Sequence, residues 1–522
     1  MPATSRCYRP KPGVDVDLSD WEQPQPASIS YPTTDTDWDG LIARYLPCIN
    51  DRPLRRCLDI ARGHGATTVV IETRYIDADY RSEYSAFYSR IFAAVPDSTH
   101  RMHFFARRLD ASKLAQLPDD PQYIGYVVIR PSVTGPVARA MLRPPREISA
   151  AVRTAVPEIV HFFGQPLVVW GAPFAQQDAS LGACAHAAAW MCHYTAALRG
   201  DVSRRVSADF ALQADPSLTP ERPLPTTGLT VAQLSDLFRK FDLPALFYYM
   251  GQLPSPGLPW QPPDPKEDLH AKPGNWDYRV IPVVCRHLNS GFPVLIGTHD
   301  HAFVLVGWQR STERNKWITF IRHDDQAGPY LVVDNVLDDS HTDPYDGRVH
   351  QYSPWRTIHV PVPGKLWLTP EAAERDGGEK LRQASSSVAA ALSSRIDTKI
   401  ETLDDLIKDG RLALRTYAQK SNDYKRGLSK RGYPEEVIRE YRFARFPRYV
   451  WVVEAVDRAL RAAGKPPVLG EAVYDATSSE LTPGVLAFRI HGAIWVAQTN
   501  GSFRGPLVFR LDPVQIGGVG PA

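Results

Sequence analysis

The run from Gly171 to Ala197, GAPFAQQDASLGACAHAAAWMCHYTAA, constrains the chain more than any other stretch. Gly171, Pro173, Asp178, Ser180 and Gly182 are turn and cap residues, and the Ala, Trp and Met that follow Cys184 are good helix-forming material. Together they predict a helix that begins at Cys184. At a helix N-terminus the unpaired backbone amides and the macrodipole favour negative charge, so a thiol there is biased toward thiolate, the form that attacks carbonyl carbon. Gln176 and Gln177, eight and seven residues upstream, lie close enough in the chain to bring a side-chain amide to the sulfur as an oxyanion donor. The competing reading makes Cys184 one more buried thiol of an Ala-rich core helix, as free cysteines commonly are.

Length and composition bound what surrounds that helix. A chain of 522 residues exceeds what one core supports, so two to four domains are expected. Hydrophobic and charged fractions of 43% and 23% are those of a globular protein. A net charge of +2 argues against a broad nucleic-acid or membrane-binding surface, which leaves proteins, peptides or small molecules as the expected partners. No run approaches the ~18 apolar residues of a membrane span, and MPATSRCYRPKPGVDVDLSD has no apolar signal region, so a cytoplasmic location is expected. The six cysteines form neither a disulfide framework nor a zinc-knuckle pattern, which fits a reducing compartment.

Taken in order, residues 1–55 are rich in Pro, Asp, Ser and Thr and read as an extended arm. Residues 56–165 hold two strand-like runs, TTVVIETRYI and YIGYVVIRP, and a helical run, YRSEYSAFYSRIFAAV, which predicts an α/β domain or extension. The charges Glu72, Arg74, Asp77, Asp79 and Arg81 read as a strand end followed by a solvated helix start, and ARGHGATT around His64 lacks the Lys-Ser/Thr ending of a phosphate loop. Residues 166–365 add an amphipathic helix with a Thr230–Gln233 capping box, a helix in PVVCRHLNS, and strands in HAFVLVGW, KWITFIRHDD and GPYLVVDNV. Helices first and antiparallel strands afterward make an α+β domain. Residues 366–400, rich in Glu, Gly, Ser and Ala, read as a linker, and 401–522 as a helical-plus-strand domain. Its stretch 401–450 carries twelve Lys or Arg against eight Asp or Glu, a solvated helix face or a protein-partner surface.

A cysteine nucleophile needs a base, and the base needs a third group to fix its tautomer. His301 opens an apolar strand, and Asp324, beside Asp325, ends the next; Asp334 and Asn335 end the one after. Asp324 and Asp325 point to opposite faces if the strand stays regular, so one of them is expected to address His301. Metal readings compete less well. Cys184, His186, Cys192 and His193 span ~12 Å of helix at 1.5 Å per residue, too far for one ion. His299, His301, and His323 or Asp324 offer a set for Zn or Fe but leave Cys184 and the Gln loop unexplained. No metal or other cofactor is expected.

These pieces, Gln177, CAHAAAWM from Cys184, GLTVAQLSDLF, GFPVLI from Gly291, HAFVLVGW from His301 and FIRHDD, together resemble the papain-like cysteine peptidases, above all the bacterial branch that includes the bacteriocin leader-cleaving peptidases. The resemblance covers roughly residues 165–340. It departs from the family in Ala185 after the cysteine and in a Gln-to-Cys spacing one residue longer. It implies a papain-like fold, with a helix carrying the Cys packed on an antiparallel sheet carrying His and Asp. It also implies Cys184 as nucleophile, His301 as general base and acid, Asp324 as orienting carboxylate and Gln177 as oxyanion donor. The expected activity is hydrolysis of a peptide or isopeptide bond through a thioacyl-enzyme. A transglutaminase-like acyl transferase and an idle papain-like scaffold that binds a protein partner are the alternatives.

Overall fold

β-branched and aromatic runs near the N-terminus pair with their chain neighbours into a five-stranded antiparallel sheet, β1 (Ala27–Ser30), β2 (Thr68–Tyr75), β3 (Thr99–Phe105), β4 (Tyr123–Ile129) and β5 (Val137–Leu142). The computed structural model describes residues 27–43, 50–92, 94–118, 121–131, 135–178, 181–218, 228–250, 252–253, 279–310, 318–333, 340–342, 345, 349–351, 354–396, 399–429, 435–498 and 503–508. Contacts divide the chain into two units, Met1–Met250 with Gly291–Pro363 and Gly251–Ser290 with Gly364–Ala522. The architecture is mixed helix and antiparallel sheet, an α+β protein. Among the described residues no helix is long and apolar enough to cross a membrane.

In the first unit, helices α1 (Asp35–Ala43), α2 (Arg52–Gly63) and α3 (Ala78–Ala86) interrupt the N-terminal sheet. That sheet is an antiparallel meander, each strand pairing with its neighbour in sequence. A hairpin follows, β6 (Val156–Phe162) and β7 (Gln165–Gly171), and leads into α4 (Cys184–Leu198). After α5 (Ser207–Leu212) and α6 (Val231–Lys240) comes β8 (Ala245–Tyr249), an edge of the second sheet. Thr230 and Gln233 do form the capping box at the start of α6. The second sheet runs in the order β12 (Gly328–Val333), β11 (Ile318–Asp324), β10 (Ala302–Arg310), β9 (Val294–Gly297), β15 (Thr357–Pro361) and β8. The pair β13 (Ser340–Thr342) and β14 (Val349–Gln351) stands apart from it.

One core joins these parts. Cys57 of α2, Phe104 of β3, Ala188 and Trp190 of α4, and Val304 and Ile321 of the second sheet belong to a single buried cluster. The boundary expected at residues 165/166 therefore runs through a continuous core, because α4 buries nearly every one of its residues and has no solvent face of its own.

The second unit is built on a six-stranded antiparallel meander of β16 (Leu412–Lys420), β17 (Tyr449–Asp457), β18 (Val468–Asp475), β19 (Val485–Ile490), β20 (Ala493–Ala497) and β21 (Phe503–Val508). Two expectations are corrected here. The linker expected at 366–400 is largely a 27-residue helix, α8 (Pro370–Ile396), whose Ala373, Leu381 and Leu392 are buried. Its composition suits a helix, and Gly377 lets the backbone approach Val453 and Tyr474, where a Cβ would meet carbon atoms at 3.1 Å. The helix in PVVCRHLNS, α7 (Val280–Asn289), belongs to this unit rather than to 166–365. Its buried Arg286 binds Glu374 through Nε at 2.8 Å and Nη2 at 2.5 Å, and Ser290 Oγ accepts from the Ala418 amide at 2.8 Å. Shorter helices α9 (Leu403–Lys408), α10 (Ser421–Gly427), α11 (Glu435–Phe443) and α12 (Arg458–Ala462) complete it.

Candidate active site

The loop between β7 and α4 is shaped by one buried carboxylate. Asp178 Oδ1 accepts from the amides of Leu181 at 3.0 Å and Gly182 at 2.7 Å, and Oδ2 accepts from the Tyr88 hydroxyl at 2.5 Å. Ala183 then takes the extended N-cap position, His186 Nδ1 accepts its amide at 3.3 Å, and the helix begins at Cys184. Cys184 is half-buried, whereas Cys57, Cys192 and Cys285 are buried. Burial pushes the thiols of Cys57 and Cys192 far above the ordinary range, which keeps them protonated and inert. Cys7 and Cys48 lie outside the described residues.

His301 is held by the turn that precedes β10. Thr298 Oγ1 accepts from the His301 amide at 3.0 Å, and the Thr298 amide donates to the His301 carbonyl at 2.9 Å. Because β10 pairs with β11 through Val304 and His323, the ring lies beside the end of β11. There Nε2 meets Asp324 Oδ2 at 3.1 Å, while Asp324 Oδ1 accepts from the Gln326 amide at 2.9 Å. The Cys184 thiol is the ring's other hydrogen-bonding neighbour.

The electrostatics follow from these contacts. Burial alone would strip the His301 ring of its proton, yet the charge and hydrogen bond of Asp324, with those of Cys184, hold its pKa well above the ordinary histidine value. Burial likewise works to raise the Asp324 carboxyl, but His301, Arg322 and the Gln326 amide hold it far below the ordinary carboxylate range. The pair is thus biased toward imidazolium and carboxylate.

Asp325 also reaches the ring, with Oδ1 3.8 Å from Nε2. The expectation that only one of the two carboxylates can face His301 assumed a regular strand. Instead β11 shifts register against β12 between Arg322 and Asp324 and ends at Asp324, which frees Asp325 from the alternation. Asp334 and Asn335 lie outside the described residues.

The glutamines divide. Gln176 is committed to structure, its Oε1 accepting from the Val137 amide at 3.0 Å and its Nε2 donating to the Asn50 carbonyl at 2.9 Å. Gln177 is half-buried, and among the described residues its side-chain amide engages no partner. The histidines weighed as metal ligands have other roles. His323 Nδ1 faces the Pro173 carbonyl at 3.1 Å with its ring against Tyr330, and His193 packs on Phe210 and Phe241. Among the described residues, the donors that group most tightly are His301, Asp324 and Asp325, within 4.8 Å of one another. The hydrogen bond between Nε2 and Asp324 already accounts for that closeness, and no metal is assigned to it.

A second cluster of buried charge lies toward the C-terminal half of α4. Asp77 and Asp79, expected in a solvated helix start, are 1% and 2% exposed. Arg139 Nε donates to Asp77 at 2.8 Å, Arg204 Nη2 to Asp79 at 2.6 Å, and the Trp190 indole to Asp79 at 3.0 Å. Glu158 accepts from the hydroxyls of Tyr126 at 2.9 Å and Tyr194 at 2.8 Å. The cluster borders a cavity of about 500 Å³ lined by Tyr75, Arg101, Arg139, Glu158, Tyr194 and Arg204. Partners from distant strands and helices replace water around these carboxylates, which is why the local sequence reads as solvated.

No family model matches the chain, and no curated protein matches it. Among the solved structures that match is the crystal structure of UfSP from C. elegans, 15% identical over 37% of this chain and 33% of that one, with a TM-score of 0.23. The chain thus spans about a third of that protein's length, and a likeness at that level establishes neither fold nor activity.

Proposed function

We propose that the protein is a thiol hydrolase of papain-like type that cleaves a peptide or isopeptide bond with Cys184, His301 and Asp324. The observation that carries this reading is a single imidazole bonded to a buried carboxylate and acted on by a half-buried thiol at a helix start. Proton transfer from Sγ to His301 leaves a thiolate at the positive end of α4, with Asp324 stabilising the imidazolium. The thiolate adds to the carbonyl carbon, and the oxyanion that forms is assigned to the free amides of the first turn, with the uncommitted Gln177 side chain as the further donor. The imidazolium then gives its proton to the leaving amine, which leaves a thioester on Cys184. His301, now neutral, takes a proton from water, the hydroxide equivalent opens the thioester, and the acid product departs.

The test is alkylation of the intact protein at neutral pH with iodoacetamide, followed by peptide mass spectrometry. Cys184 should be modified first, and modification should abolish hydrolysis of a reporter peptide library. Faster labelling at Cys48 or Cys285, or hydrolysis that survives full modification of Cys184, refutes the reading.

A further inference from the structure

Asp325 has no role in the chemistry described so far, and its surroundings are unusual. It is 1% exposed, and neither carboxylate oxygen has a hydrogen-bond partner among the described residues. A carboxylate shut away from water without donors is costly, so such a group either holds a proton or sits against a cation. Here the choice is open. The charges that act on it are the His301 ring, from the turn before β10, and Asp324, the last residue of β11. Arg322 Nε lies 3.6 Å from Asp324 Oδ2, and the Cys184 thiol of α4 acts on the same ring.

We propose that Asp325 is a positioning residue of the Cys184–His301 pair, a carboxyl group that holds a proton in one state and, on releasing it to solvent, sets a second negative charge behind the His301 imidazolium. The proposal rests on the thiol hydrolase reading. When Asp325 is neutral, Asp324 alone balances the ring. When it is ionised, two carboxylates face Nε2 at 3.1 and 3.8 Å, and transfer of the Sγ proton to the ring becomes more favourable. Each proton has a destination, that of Asp325 in solvent and that of the thiol on His301. Burial pushes the Asp325 carboxyl up to about 7, with His301 opposing and Asp324 adding, so the change falls near neutral pH. Thiolate content therefore rises in a distinct step there.

The experiment measures the alkylation rate of Cys184 in the full chain from pH 5 to 9, with the infrared band of protonated carboxyl groups recorded over the same range. Wild type should show a rise of roughly tenfold near neutrality, the size of a one-unit coupling, on top of the thiol's own ionisation. Asp325→Asn, close in shape, should lose that step while keeping its rate at pH 5. Burial also pushes the Glu83 carboxyl up to about 7, so the band is read as the difference between wild type and Asp325→Asn. Should Asn prevent folding, Asp325→Ser removes the same ionisable group. A step that persists in the variant, or a difference spectrum without a titrating carboxyl band, overturns the proposal. So does a step that moves with added Zn²⁺ or a chelator instead of with Asp325. If Cys184 stays unreactive in both proteins while the Asp325 band titrates near neutrality, the hydrolase reading fails and the carboxyl assignment stands.

Discussion

Two clusters of buried charge sit along α4, one at its first residue and one around Trp190 and Tyr194, and they are finished differently. In the second, Asp77 accepts from two backbone amides and Arg139, Asp79 from an indole, a backbone amide and Arg204, and Glu158 from two hydroxyls. Its cations are guanidinium groups, which do not give up protons in proteins. Every oxygen has a donor, so nothing there is free to react. At the first residue of α4 the cation is an imidazole, which does exchange its proton, one neighbour is a thiol, and among the described residues no other residue donates to the Asp325 carboxylate. Burial of charge is common to both, and what separates framework from chemistry is the capacity left over once neighbours are counted.

That contrast is broken most directly by Cys184→Ala. Activity should fall by roughly 10⁴-fold or more, while the urea midpoint stays within error, because the half-buried thiol supports little of the core. At the other cluster the consequences should reverse. Arg139→Met leaves Asp77 and Glu158 without their cation, and stripping one partner from a buried ion pair costs about 3–5 kcal/mol. Urea unfolding should register that loss, with turnover per folded molecule unchanged. A variant that keeps its stability and loses turnover would make the cluster functional and dissolve the comparison. Asp324→Asn should come next, lowering turnover by roughly 10²-fold and slowing Cys184 alkylation. The cost should stay below the ~10⁴ of a serine triad, since a thiol ionises more readily than a hydroxyl.

The same contrast explains how much was legible in the chain. The helix start at Cys184, the strand entry at His301 and the capping box at Thr230 are written in neighbouring residues, and each stands where local chemistry places it. Features decided by distant partners are not. Asp77 and Asp79 read as solvated because Arg139 and Arg204 lie 62 and 125 residues away from them, and Tyr88 lies 90 residues from the Asp178 it anchors. Residues 370–396 suit a linker or a helix equally in composition, and the sheet they pack against decides the matter. The approach of both Asp324 and Asp325 to one ring comes from a register shift, a feature with no residue-type signature here.

The smallest effect is the most diagnostic, because it separates a charge that supports the fold from one that burdens it. In the unfolded chain the Asp325 carboxyl takes its ordinary value near 4, whereas burial in the fold pushes it up to about 7. Between those values the folded state binds more protons than the unfolded state, so stability falls as pH rises and the full penalty is present above the folded value. Asp77 has the opposite sign. Burial works to raise its carboxyl, but Arg139 and the Tyr80 amide hold it below the ordinary range, so its contribution is present at neutral pH and lost on acidification. Asp325→Asn should therefore raise the unfolding free energy at pH 8 by about 1–3 kcal/mol and change it little at pH 4, whereas Asp77→Asn should lower it at pH 8. Urea titrations of both variants at the two pH values decide it. If Asp325→Asn destabilises the protein more at pH 8 than at pH 4, Asp325 is a satisfied ion-pair partner after all, and the two ends of α4 are finished alike.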